Sequence, residues 1–317
     1  MNARLDPVSI ARHDDFAADV VNGLSRQPRQ LPCKWFYDLP GSELFEQITR
    51  TPEYYPTRVE SRLMRDSMTD LSARLADIDV IVEPGSGSSL KTRLLLAALP
   101  ALRAYVPLDI SAEFLIDSAT GLAADFPGLS VEPMIADFSR LDQPFALRPD
   151  DRPLVFFPGS TIGNFAPNEA VDLLRRIRWA AGRCPSLLIG VDMTQDESRL
   201  LPAYDDAAGV TAAFNRNLLV RMRRELGADV DPERFAHRAL FNRVEQRVEM
   251  HLVSRGPQRI GVRGKVFEFA DGDTIHTENA YKYSRGRFLD LAAAAGWKLD
   301  HAWQDTVESA FSLLLMR

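Results

Sequence analysis

A chain of 317 residues with 45% hydrophobic and 26% charged side chains has globular composition, and its length allows one large domain or two smaller ones. The net charge of −6 and the dispersal of 38 lysines and arginines exclude a basic nucleic-acid stripe and favour a small-molecule partner. Charges run through MNARLDPVSIARHDDF and no run of about 18 apolar residues follows, so a cytoplasmic protein with no leader and no membrane span is expected. Cys33 and Cys184 lie far apart, as reduced thiols do. The five histidines, His13, His237, His251, His276 and His301, show no metal-ligand spacing, and no metal is expected.

Residues 1–57 read as polar and irregular, with aromatics crowded into PCKWFYDLPGSELFEQITRTPEYYP. From residue 58 a charged amphipathic helix leads into DVIVE, a β-branched run ending at a glycine turn. Alternation continues with a helix over 90–98, a strand over 104–109, a helix over 112–124 and strands over 130–136 and 154–158. A helix over 167–181 and a strand over 186–192 complete it. Parallel strands require crossover helices, so this rhythm predicts a doubly wound α/β sheet with its ligand beyond the carboxyl ends of the strands. After residue 196 the rhythm breaks. A long helix over 207–226 is followed by RVEQRVEMHLVS, QRIGVRG and KVFEFADGD, an expected antiparallel meander. A helix at RGRFLDLAAAAG and strands at WKLDHAWQD and FSLLLMR resume the α/β pattern. The expected organisation is a Rossmann-like domain, 58–195 plus 286–317, interrupted by an α+β domain formed by 1–57 plus 196–285.

Gly85, Ser86 and Gly87 follow the first strand and open a helix, where backbone must pass close to a ligand. A dinucleotide fingerprint would place glycine or alanine where Leu90 stands, which argues against a nicotinamide cofactor. Asp109 ends the second strand, where a carboxylate can accept both ribose hydroxyls; its alternative is a helix cap shared with Ser111. Asp137 and Phe138 end the third strand, suited to an adenine amine and ring. Together these positions fit S-adenosylmethionine better than NAD, with Lys91 expected to meet the ligand's carboxylate.

At this point KWFYDLPGSELFEQIT, PEYYPTRVE, EPGSGSSLKTRLLL, FFPGSTIGNF, YDDAAGVTAAFNRNLL, RVEMHL and HTENAYKYS closely resemble the histidine Nα-methyltransferases of ergothioneine biosynthesis, from about residue 31 to the end. The resemblance implies a class I methyltransferase sheet with an inserted substrate-binding domain, three successive methylations of histidine to the betaine hercynine, and a monomer. Residue by residue, it assigns Gly85, Lys91, Asp109, Asp137 and Phe138 to the cofactor. It assigns Tyr55, Asn164 and Tyr204 to the α-amino and carboxylate ends of the substrate, Tyr37 to the neighbourhood of the amine, and Met250 to the same pocket. Glu278 matches the acid that binds imidazole. The chain departs from the family at Ala280, where a serine is expected; the missing hydroxyl leaves room for tryptophan, tyrosine or a histidine derivative as the substrate.

Methyl transfer from a sulfonium is an in-line displacement with a neutral leaving group, so the site has only to hold a deprotonated amine on the methyl–sulfur axis. An α-amino group ionises at about pH 8–9, so it can lose its proton before attack without a strong base. Asn164 can accept from the amine, and Tyr37 can respond as charge grows. The plainer alternatives are that Asn164 satisfies backbone groups in a turn, that Glu278 is a solvated strand residue partnered by Lys282, and that Tyr54 and Tyr55 form a packed hinge.

Overall fold

The computed structural model describes residues 7–308 and 310–317, with side chains from residue 14 onward. The expectation drawn from the first six residues, like the side chain of His13, lies outside the described residues. The chain forms two compact units. One comprises 1–53, 197–242 and 248–279, and the other 54–196, 243–247 and 280–317.

The first unit begins with helix α1 (Pro7–Leu24), a short 3-10 turn (Cys33–Phe36) and α2 (Leu39–Ile48), which correct the reading of residues 1–57 as irregular. Phe16, Val20 and Leu24 recur every four residues and are buried, a helical stripe too sparse among charges to stand out. Asp38 caps α2 by accepting from Gly41 N at 2.8 Å.

The second unit opens with α3 (Tyr55–Arg74), followed by β1 (Val80–Pro84), α4 (Leu90–Ala98), β2 (Ala104–Asp109) and α5 (Ala112–Asp125). The strand expected over 130–136 is instead two short ones, β3 (Ser130–Val131) and β4 (Met134–Ile135), with Pro133 between them. Proline has no N–H to continue the ladder. Next come β5 (Pro153–Phe157), α6 (Pro167–Ala180) and β6 (Ser186–Asp192).

In the first unit the helix expected over 207–226 is α8 (Val210–Leu226), which starts after Gly209 at φ +74°, and a separate helix, α7 (Glu197–Tyr204), precedes it. Strand β7 (Phe235–Asn242) lacks a clean alternation and escaped the sequence reading. The expected meander is divided: β8 (Arg247–Ser254) pairs between β7 and β11 (Thr274–Tyr281), whereas β9 (Gln258–Val262) and β10 (Lys265–Phe269) form a separate antiparallel pair. Arg263 and Gly264, both at positive φ, form the tight two-residue turn between them. Gln30 bridges to His276, which attaches the N-terminal segment to this unit.

The chain ends in the second unit with α9 (Arg285–Ala294), β12 (Leu299–Gln304) and β13 (Phe311–Met316). Its sheet has the order β12-β13-β6-β5-β1-β2-β3, with β4 beside β2; β13 alone runs antiparallel to its neighbours β6 and β12. Strands β1, β5, β6 and β13 are buried along their whole length, so alternate residues feed two cores. Val80, Val82, Val155, Phe157, Ile189 and Leu314 pack with α6 and α9 on one face. Ile81, Leu154, Phe156, Leu188 and Leu313 pack with α3 and α4 on the other. The order reverses between β1 and β5, and the carboxyl ends at such a reversal are where a ligand binds.

Candidate active site

In the second unit the predicted cofactor residues converge at that reversal. Gly85 and Gly87 take φ of +69° and +51°, the left-handed region that disfavours side chains. Gly85 N donates to Leu108 O at 2.7 Å, and a Cβ there would lie 3.2 Å from the ring of Phe138. A Cβ on Gly87 would meet nothing within 4 Å, so the turn opens onto space on that side. The buried hydroxyl of Ser86 has no hydrogen-bond partner among the described residues. Asp109 accepts from Gly87 N at 3.3 Å and Ser111 N at 2.9 Å, linking the glycine turn to the start of α5. Asp137 accepts from Ser139 N at 3.0 Å, and Phe138 packs edge-on against Phe157 and Phe165. A glycine turn open on one side, two acids and a ring at successive strand ends suit a nucleoside without phosphate.

Lys91 lies at the same edge and donates to Glu60, a carboxylate that is fully buried. Gly159 N donates to both oxygens of Glu60, at 3.0 and 2.8 Å. Any side chain at Gly190 would collide with Glu60 Oε1, 1.9 Å from an ideal Cβ, so that glycine makes room for the charge. Sequence reading missed Glu60. Its signal was a carboxylate on the buried stripe of α3, beside Val59, Leu63 and Met64.

Beneath the turn, Glu83 is buried and accepts from Thr92 Oγ1 at 2.5 Å and the Tyr105 hydroxyl at 2.6 Å. Burial pushes its carboxyl from 4.5 up to about 7, outweighing these donors. It binds its proton more tightly in the folded chain, so its stabilising contribution is complete below pH 4.5 and is lost as pH rises to about 7. Glu83→Gln, which cannot ionise, is therefore expected to gain about 2 kcal/mol on the parent between about pH 5 and pH 8. Urea midpoints at the two pH values measure this, and a pH-independent difference would show Glu83 ionised throughout.

The Tyr55 hydroxyl donates to Asp192 Oδ2 at 2.6 Å, and Lys282 Nζ donates to the same oxygen at 2.7 Å. Thr194 N donates to Asp192 Oδ1 at 3.0 Å. Lys282 thus pairs with Asp192. Asn164 ends a 3-10 turn (Thr161–Asn164) whose Gly163 packs against the Tyr281 backbone; a Cβ there would lie 2.7 Å from Tyr281 O. The half-buried Asn164 amide makes no hydrogen bond to any described residue, so it does not serve the turn's backbone. Ala280 is buried.

Within the first unit, Tyr37 packs edge-on to Phe45 and Phe214, with centroids 5.8 and 5.6 Å away. Tyr204 ends α7, and its carbonyl accepts from His237 Nε2 at 2.8 Å. That assignment leaves His237 Nδ1 to accept from Asn215 Nδ2, also at 2.8 Å, and burial holds this ring below the ordinary imidazole range. Thr277 Oγ1 lies 2.8 Å from Asn215 Oδ1 and 3.0 Å from Met250 O. One buried polar network therefore ties Tyr204 to the strand that carries Met250. Glu278 is half-buried on β11, and its carbonyl accepts from His276 Nε2 at 2.9 Å. Asn215 and Thr277 were missed, since nothing in a linear sequence distinguishes a network residue from a tolerated polar one.

A ligand edge with no phosphate cradle, on a sheet whose one reversed strand lies between β6 and β12, defines an α/β methyltransferase that uses S-adenosylmethionine. The family model described as histidine-specific, SAM-dependent methyltransferase matches residues 16–317, and the chain belongs to that family. It is 42% identical over 293 residues to the histidine N-alpha-methyltransferase of Mycolicibacterium smegmatis, covering 90% of each chain. It is 40% identical to that of Mycobacterium tuberculosis, covering 93% of this chain and 92% of the other. It is also 27% identical to a 4-dimethylallyltryptophan N-methyltransferase of Trichophyton verrucosum, covering 90% and 88%.

Among the described residues no helix is long and apolar enough to cross a membrane.

Proposed function

We propose that this protein transfers methyl groups from S-adenosylmethionine to the α-amino nitrogen of L-histidine, three times in succession, yielding hercynine. The observation that carries this reading is the family match across residues 16–317, supported by 40–42% identity to histidine N-alpha-methyltransferases. The second unit serves the cofactor and the first contributes to substrate binding.

S-adenosylmethionine, when bound, supplies an electrophilic methyl group on a sulfonium. The chain's own part is to hold and orient. Asp109 accepts the ribose hydroxyls, Asp137 and Phe138 take the adenine, and the Lys91 ammonium, which has three protons, turns one toward the cofactor's carboxylate while retaining Glu60. Gly85, Ser86 and Gly87 let the backbone approach. The Asp192 carboxylate, held by Lys282, claims the phenol proton of Tyr55, which leaves the Tyr55 oxygen as an acceptor. Tyr55 therefore suits the amino end of the substrate. In the second unit Asn164, its amide unengaged, suits the amine lone pair; in the first unit Tyr37 suits the neighbourhood of the amine and Tyr204 the carboxylate. Glu278 accepts from the imidazole N–H, and Met250 and Ala280 bound the ring.

Incubating the protein with S-adenosylmethionine and each of the twenty amino acids, followed by mass analysis, tests the reading. Histidine gaining three methyl groups is the expected result; a different amino acid gaining them would establish the second reading, which Ala280 favours by removing a hydroxyl from the ring pocket. Asp109→Ala is expected to weaken cofactor binding by about 2 kcal/mol, or about thirtyfold, as hydrogen bonds to a charged group are lost. Calorimetry showing unchanged affinity would remove Asp109 from the cofactor site.

A further inference from the structure

The three-stranded sheet of the first unit carries a polar cluster that methyl transfer leaves unused. His251 on β8 and His276 on the neighbouring β11 stack with centroids 4.7 Å apart and planes 17° from parallel. Each ring is tied at Nε2: His251 to Glu249 Oε2 at 3.1 Å, and His276 to the Glu278 carbonyl at 2.9 Å. Carbonyl and carboxylate oxygens accept, so both rings carry a proton on Nε2, and in the neutral form the lone pair of each is on Nδ1. Burial, then the neighbouring His276, hold His251 below the ordinary imidazole range, with Arg238 acting in the same direction and Glu249 opposing. His251 Nδ1 is buried and has no hydrogen-bond partner among the described residues. Glu249 is itself fixed from the other side by Asn242 Nδ2 at 3.0 Å. One potential ligand atom from each of Glu249, His251 and His276 lies within 4.8 Å of the other two.

We propose that Glu249, His251 and His276 form a binding site for a divalent transition-metal ion such as Zn²⁺ or Cu²⁺, with the two Nδ1 atoms as ligands. Neutral imidazole is the commonest metal ligand. A metal-bound histidine usually donates its other ring N–H to a carboxylate or a backbone carbonyl, and here one ring does each. The Glu249 carboxylate offsets the ion's charge and that of Arg238. Metal–nitrogen bonds of about 2.0–2.1 Å would hold the two nitrogens roughly 3.3 Å apart. Nitrogen donors select zinc and copper over magnesium and calcium, which require oxygen. A hydrogen-bonded histidine pair with no ligand would account for both Nε2 contacts but not for the buried lone pair on His251.

Calorimetric titration of the whole chain with Zn²⁺ at neutral pH, without S-adenosylmethionine or histidine, tests the site. One Zn²⁺ per chain is expected, weakened about tenfold or more by His251→Gln or His276→Gln and by a similar factor in Glu249→Gln, while His301→Gln has no effect. Circular dichroism establishes that each variant is folded. Should one fail to fold, the histidine ring resonances of the unaltered chain decide: Zn²⁺ should displace those of His251 and His276 and spare those of His237 and His301. Absence of saturable Zn²⁺ binding, binding undiminished in the His251→Gln/His276→Gln double variant, or displacement of other histidines' resonances overturns the proposal.

Discussion

Lys282→Met is expected to destabilise the protein by about 3–5 kcal/mol, the usual cost of stranding one charge of a buried pair. Lys282 is 2% exposed and Asp192 not at all, so solvent cannot replace the ammonium. The carboxylate would keep only the Tyr55 hydroxyl and Thr194 N–H, donors without charge. Urea denaturation of the variant and the parent at neutral pH measures the loss. Replacing both partners, Lys282→Met with Asp192→Asn, should recover most of it, because two neutral groups carry no uncompensated charge. A single variant within about 1 kcal/mol of the parent would show that water already reaches the pair. The same substitution should raise KM for the amino acid, since Lys282 would no longer hold the carboxylate that commits the Tyr55 proton.

Glu278→Ala is expected to lower kcat/KM for histidine by about ten- to a hundredfold. A carboxylate accepting from a ring N–H contributes about 1.5–3 kcal/mol, and a site built around such a bond discriminates strongly. Ala280→Ser should move in the opposite direction, improving kcat/KM by up to about tenfold through one neutral hydrogen bond. Comparing histidine, tryptophan and tyrosine across the three proteins separates the two substrate readings. If the natural chain ignores histidine and Ala280→Ser does not restore it, Glu278 reads something other than imidazole. Such an outcome would leave the metal proposal intact, because Zn²⁺ binding is measured without substrate.

Much of the second unit was legible in the sequence because its signals are local. Runs such as VIVEP and SLLIGVD declare strands buried on both faces, and their alternation with amphipathic helices admits only a crossover-connected parallel sheet. Gly85 and Gly87 declare a turn through their backbone freedom, and Asp109 follows at the end of the next strand by chain length alone. The resemblance then carried the family. The first unit was less legible: in β7–β11 the choice of neighbour depended on turn geometry that periodicity does not encode, whereas in the second unit Pro133 alone divided a predicted strand.

What only the tertiary structure decided is which charged and polar groups meet. Tyr55, Asp192 and Lys282 are separated by 137 and 90 residues, and nothing in their spacing says that one carboxylate holds both others. Glu60 and Lys91 are brought together by α3 and α4 packing on one face of the sheet. Likewise the histidines show no ligand spacing along the chain, yet strand pairing stacks His251 on His276 beside Glu249. For the histidines register is the physical reason: a shift of one residue between β8 and β11 would send His251 and His276 to opposite faces. Composition and periodicity determine which face is buried, while the partner across it is chosen only when the strands align.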